Sequence, residues 1–307
     1  MDAVIRTENL SKHFGKLKAV DKVTITVKKG EIYGFLGLNG AGKTTTIRML
    51  LGLVSPTSGK CYLNGIKVSP GNPSLWEKTG YLVEIPYSYP DLTVRENLEI
   101  IRRLRLIKEI RSVDKVINDL ALEQYSEVIA KHLSQGNAQR LGLAKALIHN
   151  PDILLLDEPA NGLDPAGIVE IREFLKDLAF NKGVTIFISS HILGEISKFA
   201  TRIGIIHEGV LIHESSVHEM EILRKRCLQI KTHNQIDTKN ILEKHGYVSS
   251  LSEEDILEVA GQEAISNPEK IVTLLVNSGF PPTLLKVEEE DLESFFLRVI
   301  NMKGGEK

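Results

Sequence analysis

The chain has few of the features that assign a protein to a class at first reading. Its two cysteines, Cys61 and Cys227, lie far apart and outside any CxxC pair, which favours a reducing compartment over a disulfide framework. The 38 basic residues nearly balance the 40 acidic ones, so no global positive charge invites nucleic acid. No apolar run approaches the ~18 residues that span a bilayer, and no signal peptide is visible. We therefore expect a cytoplasmic protein that needs a partner for any work at a membrane.

The stretch from Gly37 to Thr45 carries the first positive signal. It fits the phosphate-loop pattern G-x-x-x-x-G-K-[ST], and it lies between a strand-like run, 32–36, and a helix-like run, 44–53. Its glycines let the backbone approach a phosphate with no Cβ in the way, and its N–H groups face an anion at the start of a helix. The loop is predicted to bind a nucleoside triphosphate through Gly37, Leu38, Asn39, Gly40, Ala41, Gly42, Lys43, Thr44 and Thr45.

Three side chains in or before this loop have more particular predicted tasks. Lys43 is expected to reach the β- and γ-phosphates, and the hydroxyl of Thr44 is placed to ligate Mg²⁺. Phe14 lies in a polar stretch before the loop and has two open interpretations. It is either a partly buried anchor beneath a turn or a platform on which a purine ring stacks.

Apolar runs that alternate with helical patterns predict an α/β domain with a largely parallel sheet. One buried strand ends at Asp157-Glu158, and another ends just before His191. Because ligands of such sheets bind beyond the carboxyl ends of the strands, these three residues should converge with Lys43 on one rim. Asp157 can there hold Mg²⁺ through water, and Glu158 can act as general base on a water that attacks the γ-phosphate.

The sequence predicts two domains. Residues 1–220 contain the α/β domain with a helical insert at about 88–133, in which Thr93 and Ser112 are expected to cap two helices. Residues 221–307 have a β-α-β-β-α-β order followed by a last helix, which is a ferredoxin-like α+β arrangement. No catalytic constellation is found in this second domain, and we expect it to serve dimerisation or regulation.

Five motifs in a fixed order give the chain a close resemblance to the ATP-binding subunit of an ABC transporter. The phosphate loop is followed by Leu-Ser-Gln-Gly-Asn at 133–137, an apolar run ending in Asp-Glu-Pro at 153–159, Asn-Gly-Leu-Asp-Pro at 161–165 and Ser-Ser-His at 189–191. The Ser-x-Gly loop is the hallmark of this family, and the resemblance covers about residues 3–220. It implies a P-loop NTPase fold with a RecA-like core, an antiparallel β subdomain and a helical insert.

The resemblance implies a role for each matching position in the ATP site. Phe14 would stack on adenine, and Asp157 and Glu158 would be the metal-binding and base residues. His191 would contact the γ-phosphate and help to position the water. Glu84 would take the place of the Q-loop glutamine, which contacts Mg²⁺ and couples to the membrane partner.

Three further residues imply that the site is shared between two subunits. Ser134 and Gly136 would bind the γ-phosphate of the ATP held by the opposite subunit, and a helix N-terminus presents free N–H groups suited to that anion. Asp164 would belong to the loop that reports across the dimer. The implied cofactors are ATP and Mg²⁺. The implied partners are transmembrane permease subunits and a second ATPase subunit, either an identical copy or a similar chain.

Some positions depart from the common pattern of the family. Glu84 replaces glutamine, and a carboxylate accepts hydrogen bonds but has no amide proton to donate. Gln135 stands where the signature loop usually has glycine, which puts the flexibility of the loop in question. Because Ser134 and Gly136 are kept, the phosphate contact should survive. The segment 160–162 reads Ala-Asn-Gly where Thr/Ser-Ser-Ala is commoner.

Three functions are compatible with these motifs. The stretch from Gly80 to Leu98 and the short C-terminal domain resemble an exporter branch whose ATPase is a separate chain, which moves drugs, antibiotic peptides or other small cargo outward. An importer ATPase whose C-terminal domain senses a ligand is the first alternative. A non-transport ABC ATPase is the second, although the chain has one phosphate loop, no sustained heptads and no cysteine cluster.

Overall fold

This computed structural model of the chain describes residues 3–84, 86–252 and 254–304. Residues 1–2, 85, 253 and 305–307, which fall within the two predicted domains, lie outside the described residues. The chain forms two compact units, Met1–Val217 together with Val299–Lys307, and His218–Arg298. The boundary predicted between residues 220 and 221 falls inside a helix, Val217–Leu223.

Strands and helices alternate along much of the chain. The strands are β1 Ala3–Phe14, β2 Leu17–Val23, β3 Thr26–Lys28, β4 Ile32–Leu36, β5 Ser58–Leu63, β6 Ile66–Lys67, β7 Thr79–Leu82, β8 Ile153–Asp157, β9 Thr185–Ser190, β10 Arg202–His207, β11 Val210–Ser216, β12 Arg226–Lys231, β13 Val248–Leu251, β14 Leu257–Ala260 and β15 Leu284–Glu289. The α-helices are α1 Lys43–Leu50, α2 Ser74–Glu77, α3 Val94–Leu104, α4 Ser112–Asp119, α5 Gln135–Leu147, α6 Pro165–Phe180, α7 Leu193–Ile196, α8 Val217–Leu223, α9 Gln235–Lys244, α10 Gln262–Ser266, α11 Pro268–Asn277 and α12 Leu292–Gly304. Among the helices that the structure describes, none is both long enough and apolar enough to cross a bilayer.

The first unit is built on a sheet with the order β11-β10-β4-β9-β8-β7, in which all neighbours are parallel except β10 and β11. Every residue of β4, β8 and β9 is buried, as the continuous apolar runs predict for parallel strands covered on both faces. The rings of Tyr33 and Phe187 stack at 5.4 Å between centroids, and Phe35 lies 5.3 Å from Phe187. The prediction of a largely parallel sheet is therefore confirmed.

The register of this sheet decides where the chemistry lies. Leu36 at the end of β4 pairs with Ser190 of β9, and Asp157 at the end of β8 pairs with Ser189. The carboxyl ends of three neighbouring strands thus form one rim, and the segments that follow them start side by side. The predicted convergence of the phosphate loop, the two acids and His191 follows from this register.

The second sheet of the first unit is antiparallel, with the order β2-β1-β5-β6 and with β3 also paired to β1. Ile5 of β1 lies opposite Leu63 on one side and Val27 on the other, and all three side chains are buried. The Asn64-Gly65 turn has positive φ at both residues, 48° and 76°, which is the hairpin turn that Asn-Gly predicts. This sheet is the antiparallel β subdomain that the resemblance implied.

The helical insert begins as predicted and then differs in detail. Thr93 caps α3 in a reciprocal capping box with Glu96. The prediction that Ser112 caps α4 was wrong, because Arg111 occupies the N-cap position. The hydroxyl of Ser112 instead donates to the carbonyl of Glu109 at 2.7 Å, which closes the turn before the helix. The predicted helix over 44–53 is also shorter, because α1 ends at Leu50.

The second unit contains a sheet with the order β13-β14-β12-β15, all antiparallel. The side chains of Leu228, Ile230, Leu257 and Val259 form a small core with Leu242 of α9 and with two side chains of α11. From β12 to β15 the elements follow the order β-α-β-β-α-α-β, which differs from the predicted β-α-β-β-α-β order because two helices, α10 and α11, stand where one was expected. The role of this unit in dimerisation or regulation remains a prediction.

Candidate nucleotide site

At two positions of the phosphate loop, neighbouring backbone atoms leave no room for a Cβ, so only glycine fits. A Cβ on Gly37 would lie 2.5 Å from the carbonyl oxygen of Ile206. A Cβ on Gly42 would lie 2.4 Å from the carbonyl oxygen of Ala19, and the φ of Gly42 is 109°, a conformation that L side chains rarely adopt. The loop therefore packs its backbone against neighbouring backbone, while Leu38, Asn39 and Gly40 at its tip are exposed.

Lys43 lies at the centre of this loop with its side chain 6% exposed. Its Nζ donates to the carbonyl of Gly37 at 2.7 Å and to that of Leu38 at 3.3 Å. The same Nζ lies 3.1 Å from Oε1 of Glu158. An ammonium has three protons, so these partners saturate it, and a phosphate entering the loop must replace at least one of them.

Each carboxylate oxygen of Asp157 accepts a hydrogen bond from a hydroxyl group. Thr44 Oγ1 donates to Oδ2 at 2.7 Å, and Ser189 Oγ donates to Oδ1 at 2.5 Å. The hydroxyl of Thr44 and the carboxylate of Asp157 are oxygen ligands of the kind that Mg²⁺ prefers, and they touch at the rim beside Lys43. These residues therefore fit a magnesium ion whose remaining ligands come from phosphates and water.

Glu158 lies between a cation and an imidazole. Its Oε1 pairs with Lys43, and its Oε2 lies 2.8 Å from Nδ1 of His191. The φ of Glu158 is 50°, an uncommon conformation for a glutamate, and its N–H donates to the carbonyl and hydroxyl oxygens of Ser189 at 3.2 and 3.1 Å. The backbone thus turns the carboxylate away from Asp157 and toward the open rim, where it can accept a proton from water.

An open groove of about 830 Å³ connects the phosphate loop to Phe14. The ring of Phe14 is 51% exposed, and the ammonium of Lys12 lies 5.0 Å from its centroid. This exposure argues against an anchor beneath the turn and fits a stacking platform on the groove wall. Its contact with adenine remains a prediction. The groove is lined by Phe14, Lys16, Leu17, Lys18, Ala19, Asp21, Asn39, Gly40, Gly42, Lys43, Thr44, Thr45, Glu158, Glu208 and Val210.

Glu84 lies just beyond the end of β7 and is exposed. Its φ is 60°, and its carboxylate forms an ion pair with the guanidinium of Arg48, in the last turn of α1. Arg48 was not predicted from the sequence, because nothing in the sequence around it indicates an ion pair with Glu84, which follows β7. The predicted contact of Glu84 with the metal remains a prediction.

The remaining predicted residues lie in a different place. Ser134 caps α5 and accepts from the N–H of Asn137 at 3.3 Å, and Asp164 caps α6 and accepts from the N–H of Gly167 at 2.9 Å. Both residues line, with Gly136, a cavity of about 540 Å³. This cavity shares no lining residue with the groove of the phosphate loop. The structure thus brings the predicted residues together in two groups rather than one.

Two polar residues near the acids were also missed. Ser189 bridges the carboxylate of Asp157 and the N–H of Glu158, and its side chain is fully buried. Gln139 of α5 is buried, and its Nε2 lies 3.5 Å from the carbonyl oxygen of Glu158. The Ser-Ser-His ending of β9 was the available signal for Ser189, but the pattern alone does not show which serine faces the acids.

Comparison with known sequences gives consistent matches. The ABC transporter family pattern matches residues 20–161. The bacitracin transport ATP-binding protein BcrA of Bacillus licheniformis is 38% identical over 302 residues, which are 98% of each chain. The protein of the same name from Enterococcus faecalis is 37% identical over 99% of this chain and 98% of its own. The lantibiotic transport ATP-binding protein SrtF of Streptococcus pyogenes is 37% identical over 72% of this chain and 95% of its own.

Comparison with solved structures gives the same fold. The ATP-binding subunit of an ABC transporter superposes with a TM-score of 0.66 at 27% identity, over 72% of this chain and 92% of that chain. A dimeric ATP-binding cassette in a post-hydrolysis state, bound to ADP and Pi, superposes with a TM-score of 0.65 at 26% identity. That match covers 69% of this chain and 98% of the other.

Proposed function

Because the chain belongs to the family of ABC transporter ATP-binding subunits, we propose that it hydrolyses ATP to power export by a multi-chain transporter. The observation that carries this proposal is the position of Glu158, held between Lys43 and His191 beside the Thr44–Asp157 pair. A carboxylate so placed is ready to take a proton from a water next to a bound triphosphate.

In this proposal each residue of the rim has one task. The triphosphate of ATP enters the phosphate loop, and Lys43 exchanges a carbonyl contact for a phosphate oxygen. Glu158 accepts a proton from water, the resulting hydroxide bonds to the γ-phosphorus, and the bond to the bridging oxygen of ADP breaks. His191 holds the Glu158 carboxylate in place. Thr44 and Asp157 would hold Mg²⁺, which would neutralise charge on the phosphates.

We further propose that each ATP-binding site is completed by residues of a second subunit. The groove around Lys43 and the cavity around Ser134 share no lining residue, so one subunit does not bring its own signature loop to its own phosphate loop. Two copies placed head to tail bring the loop of each to the ATP of the other. The solved dimeric cassette with ADP and Pi supports such an arrangement, and either an identical or a similar chain satisfies it.

The membrane partner is proposed to dock on a groove between the end of β7 and the helical insert. This groove, about 450 Å³, is lined by exposed aromatic side chains, Tyr81, Tyr87 and Tyr89, and by Leu104. A transmembrane permease presents a cytoplasmic segment to it, which places the chain at the inner face of the membrane. The nearby pair of Glu84 and Arg48 is in position to respond to ATP in the phosphate loop and to the permease.

The cargo proposal rests on the relatives. Two of them are named for bacitracin transport and one for lantibiotic transport, and the bacitracin proteins match the chain over nearly its whole length. We propose export of a small antibiotic peptide or drug of this kind.

The test of the shared site is the variant Glu158→Gln, which removes the base and keeps the shape. It is expected to bind ATP without hydrolysing it and to elute as a dimer in size-exclusion chromatography with light scattering at saturating Mg-ATP. Glu173→Gln, on the exposed face of α6, is the matched control and should stay active. A Glu158→Gln protein that remains monomeric with saturating ATP would contradict the proposal.

A further inference from the structure

Two of the departures from the family pattern, Gln135 and Gly162, lie against each other. A Cβ on Gly162 would lie 2.4 Å from Cδ, 2.5 Å from Cγ and 2.6 Å from Nε2 of Gln135. The φ of Gly162 is 80°, so the position also disfavours a side chain by backbone conformation. The glutamine side chain therefore fills the space that an alanine at 162 would need.

This contact is part of a larger one between the start of α5 and the turn before α6. A Cβ on Gly136 would lie 3.4 Å from the carbonyl oxygen of Gly162 and 3.4 Å from Cδ2 of Leu163. The turn itself is closed by the N–H of Asn161, which donates to the carbonyl of Glu158 at 3.1 Å. It therefore links the general base to Asp164 and rests on the signature loop.

We propose that Gln135 is a positioning residue that fastens the Ser134 loop to the turn 161–164 of the same subunit. With Gln135 in place, both elements present one fixed surface of the 540 Å³ cavity to the ATP of the second subunit. A glycine at 135 would leave a gap at this contact, and the loop and the turn would move independently. The inference rests on the proposed shared-site dimer and adds a residue to it.

The test separates binding of ATP to one subunit from closure of the dimer. In the Glu158→Gln background, Gln135→Gly should leave the ATP affinity of the monomer unchanged, because Gln135 lines no part of the Lys43 groove. The ATP-dependent dimer should weaken roughly tenfold, within the range seen for side chains that contact one another. Glu173→Gln is the matched control, because Glu173 is exposed on α6, lines neither the groove nor the cavity, and should leave both quantities unchanged.

Two further variants show whether packing or hydrogen bonding carries the effect. Gln135→Met keeps the length of the side chain without its amide, and it should dimerise within roughly threefold of the parent, since the closest atoms are Cδ and Cγ. Gly162→Ala should weaken the dimer more in the parent than in the Gln135→Gly background, because the clash with Gln135 is then gone and only the strain of the positive φ at 162 remains. The two substitutions are thus expected to be strongly non-multiplicative.

Each outcome decides between the hypotheses. Unchanged dimerisation of Gln135→Gly, independent effects of Gln135→Gly and Gly162→Ala, or a Gln135→Met variant as weak as Gln135→Gly would overturn this inference alone. Failure of Glu158→Gln itself to dimerise would overturn the proposed function and this inference with it. The expected result is that Gln135→Gly weakens the dimer roughly tenfold without changing the ATP affinity of the monomer. Gln135→Met is expected to dimerise nearly as well as the parent.

Discussion

The hydroxyl of Ser189 is expected to set the position of both acids. It donates to Oδ1 of Asp157 at 2.5 Å and accepts from the N–H of Glu158 at 3.1 Å, in a fully buried position. Ser189→Ala removes a charge-assisted hydrogen bond worth about 1.5–3 kcal/mol. The N–H of Glu158 keeps the carbonyl of Ser189 as a partner, so the loss falls mainly on the carboxylate of Asp157.

The kinetic effect follows from the same number. Because the bond is already present in the free protein, kcat/KM falls only if its loss lets Asp157 leave the position that binds Mg-ATP; restoring that position in the transition state would then cost up to the same energy, or about 10- to 150-fold in kcat/KM. The melting temperature should fall by about 2–4 °C for each kcal/mol lost from the folded state. Phosphate release at low and saturating Mg-ATP measures the first quantity, and thermal unfolding without nucleotide measures the second.

Ser190→Ala is the matched control for Ser189→Ala. Ser190 is also buried, but its hydroxyl accepts from the N–H of Ile192 at 3.0 Å and is bonded to neither acid in the structure. It should cost about 1 kcal/mol in stability and leave kcat/KM within roughly threefold. The account of Ser189 is refuted if Ser189→Ala stays within twofold of the parent in kcat/KM, or if both variants lose activity equally.

Three further perturbations test other parts of the account. Lys43→Ala should weaken ATP binding at least about tenfold, measured by equilibrium titration, because a charge-assisted phosphate contact is lost; unchanged affinity would contradict the loop assignment. Gly42→Ala should weaken ATP binding in the same titration far more than Gly40→Ala, since only the first Cβ meets a carbonyl oxygen, and equal effects would contradict that packing. Burial lowers the pKa of Lys145 from 10.5 to about 8, so between these values the unfolded chain binds more protons and stability rises with pH. Lys145→Met lacks this group, so its stability should not show this rise. The melting temperature of the parent minus that of Lys145→Met should therefore increase from about pH 7.5 to 9.5, and a difference that stays constant would refute the lowered pKa of Lys145.

Local sequence patterns were sufficient for the elements that form locally. The phosphate loop needs its glycines within a few residues, the cap of α3 needs Thr93 and Glu96 three positions apart, and the Asn64-Gly65 hairpin needs only its turn. The buried strands were also predictable, because strands covered on both faces of a sheet are continuously apolar. These signals carry the fold of the first unit and the approximate place of its acids.

Contacts between segments that are distant in the chain could not be predicted from the sequence. The pairing of Glu84 with Arg48 depends on how β7 lies beside α1, and the bridge of Ser189 to Asp157 depends on the register of β8 against β9. Gln135 and Gly162 each looked like an unexplained departure in the sequence. Only the structure shows that one side chain occupies the space that the other residue leaves free.

The central claim, that each ATP site is built from two subunits, has a direct test in mixed dimers. Lys43→Ala removes the phosphate loop of a subunit, and Ser134→Ala removes its signature loop, so each variant alone should be inactive. In a dimer of one with the other, both lesions fall in one site and the second site is intact. An equal mixture should therefore regain up to about a quarter of the activity of the parent, since half of the dimers are mixed and each has one intact site. A mixture no more active than its components would contradict the shared site.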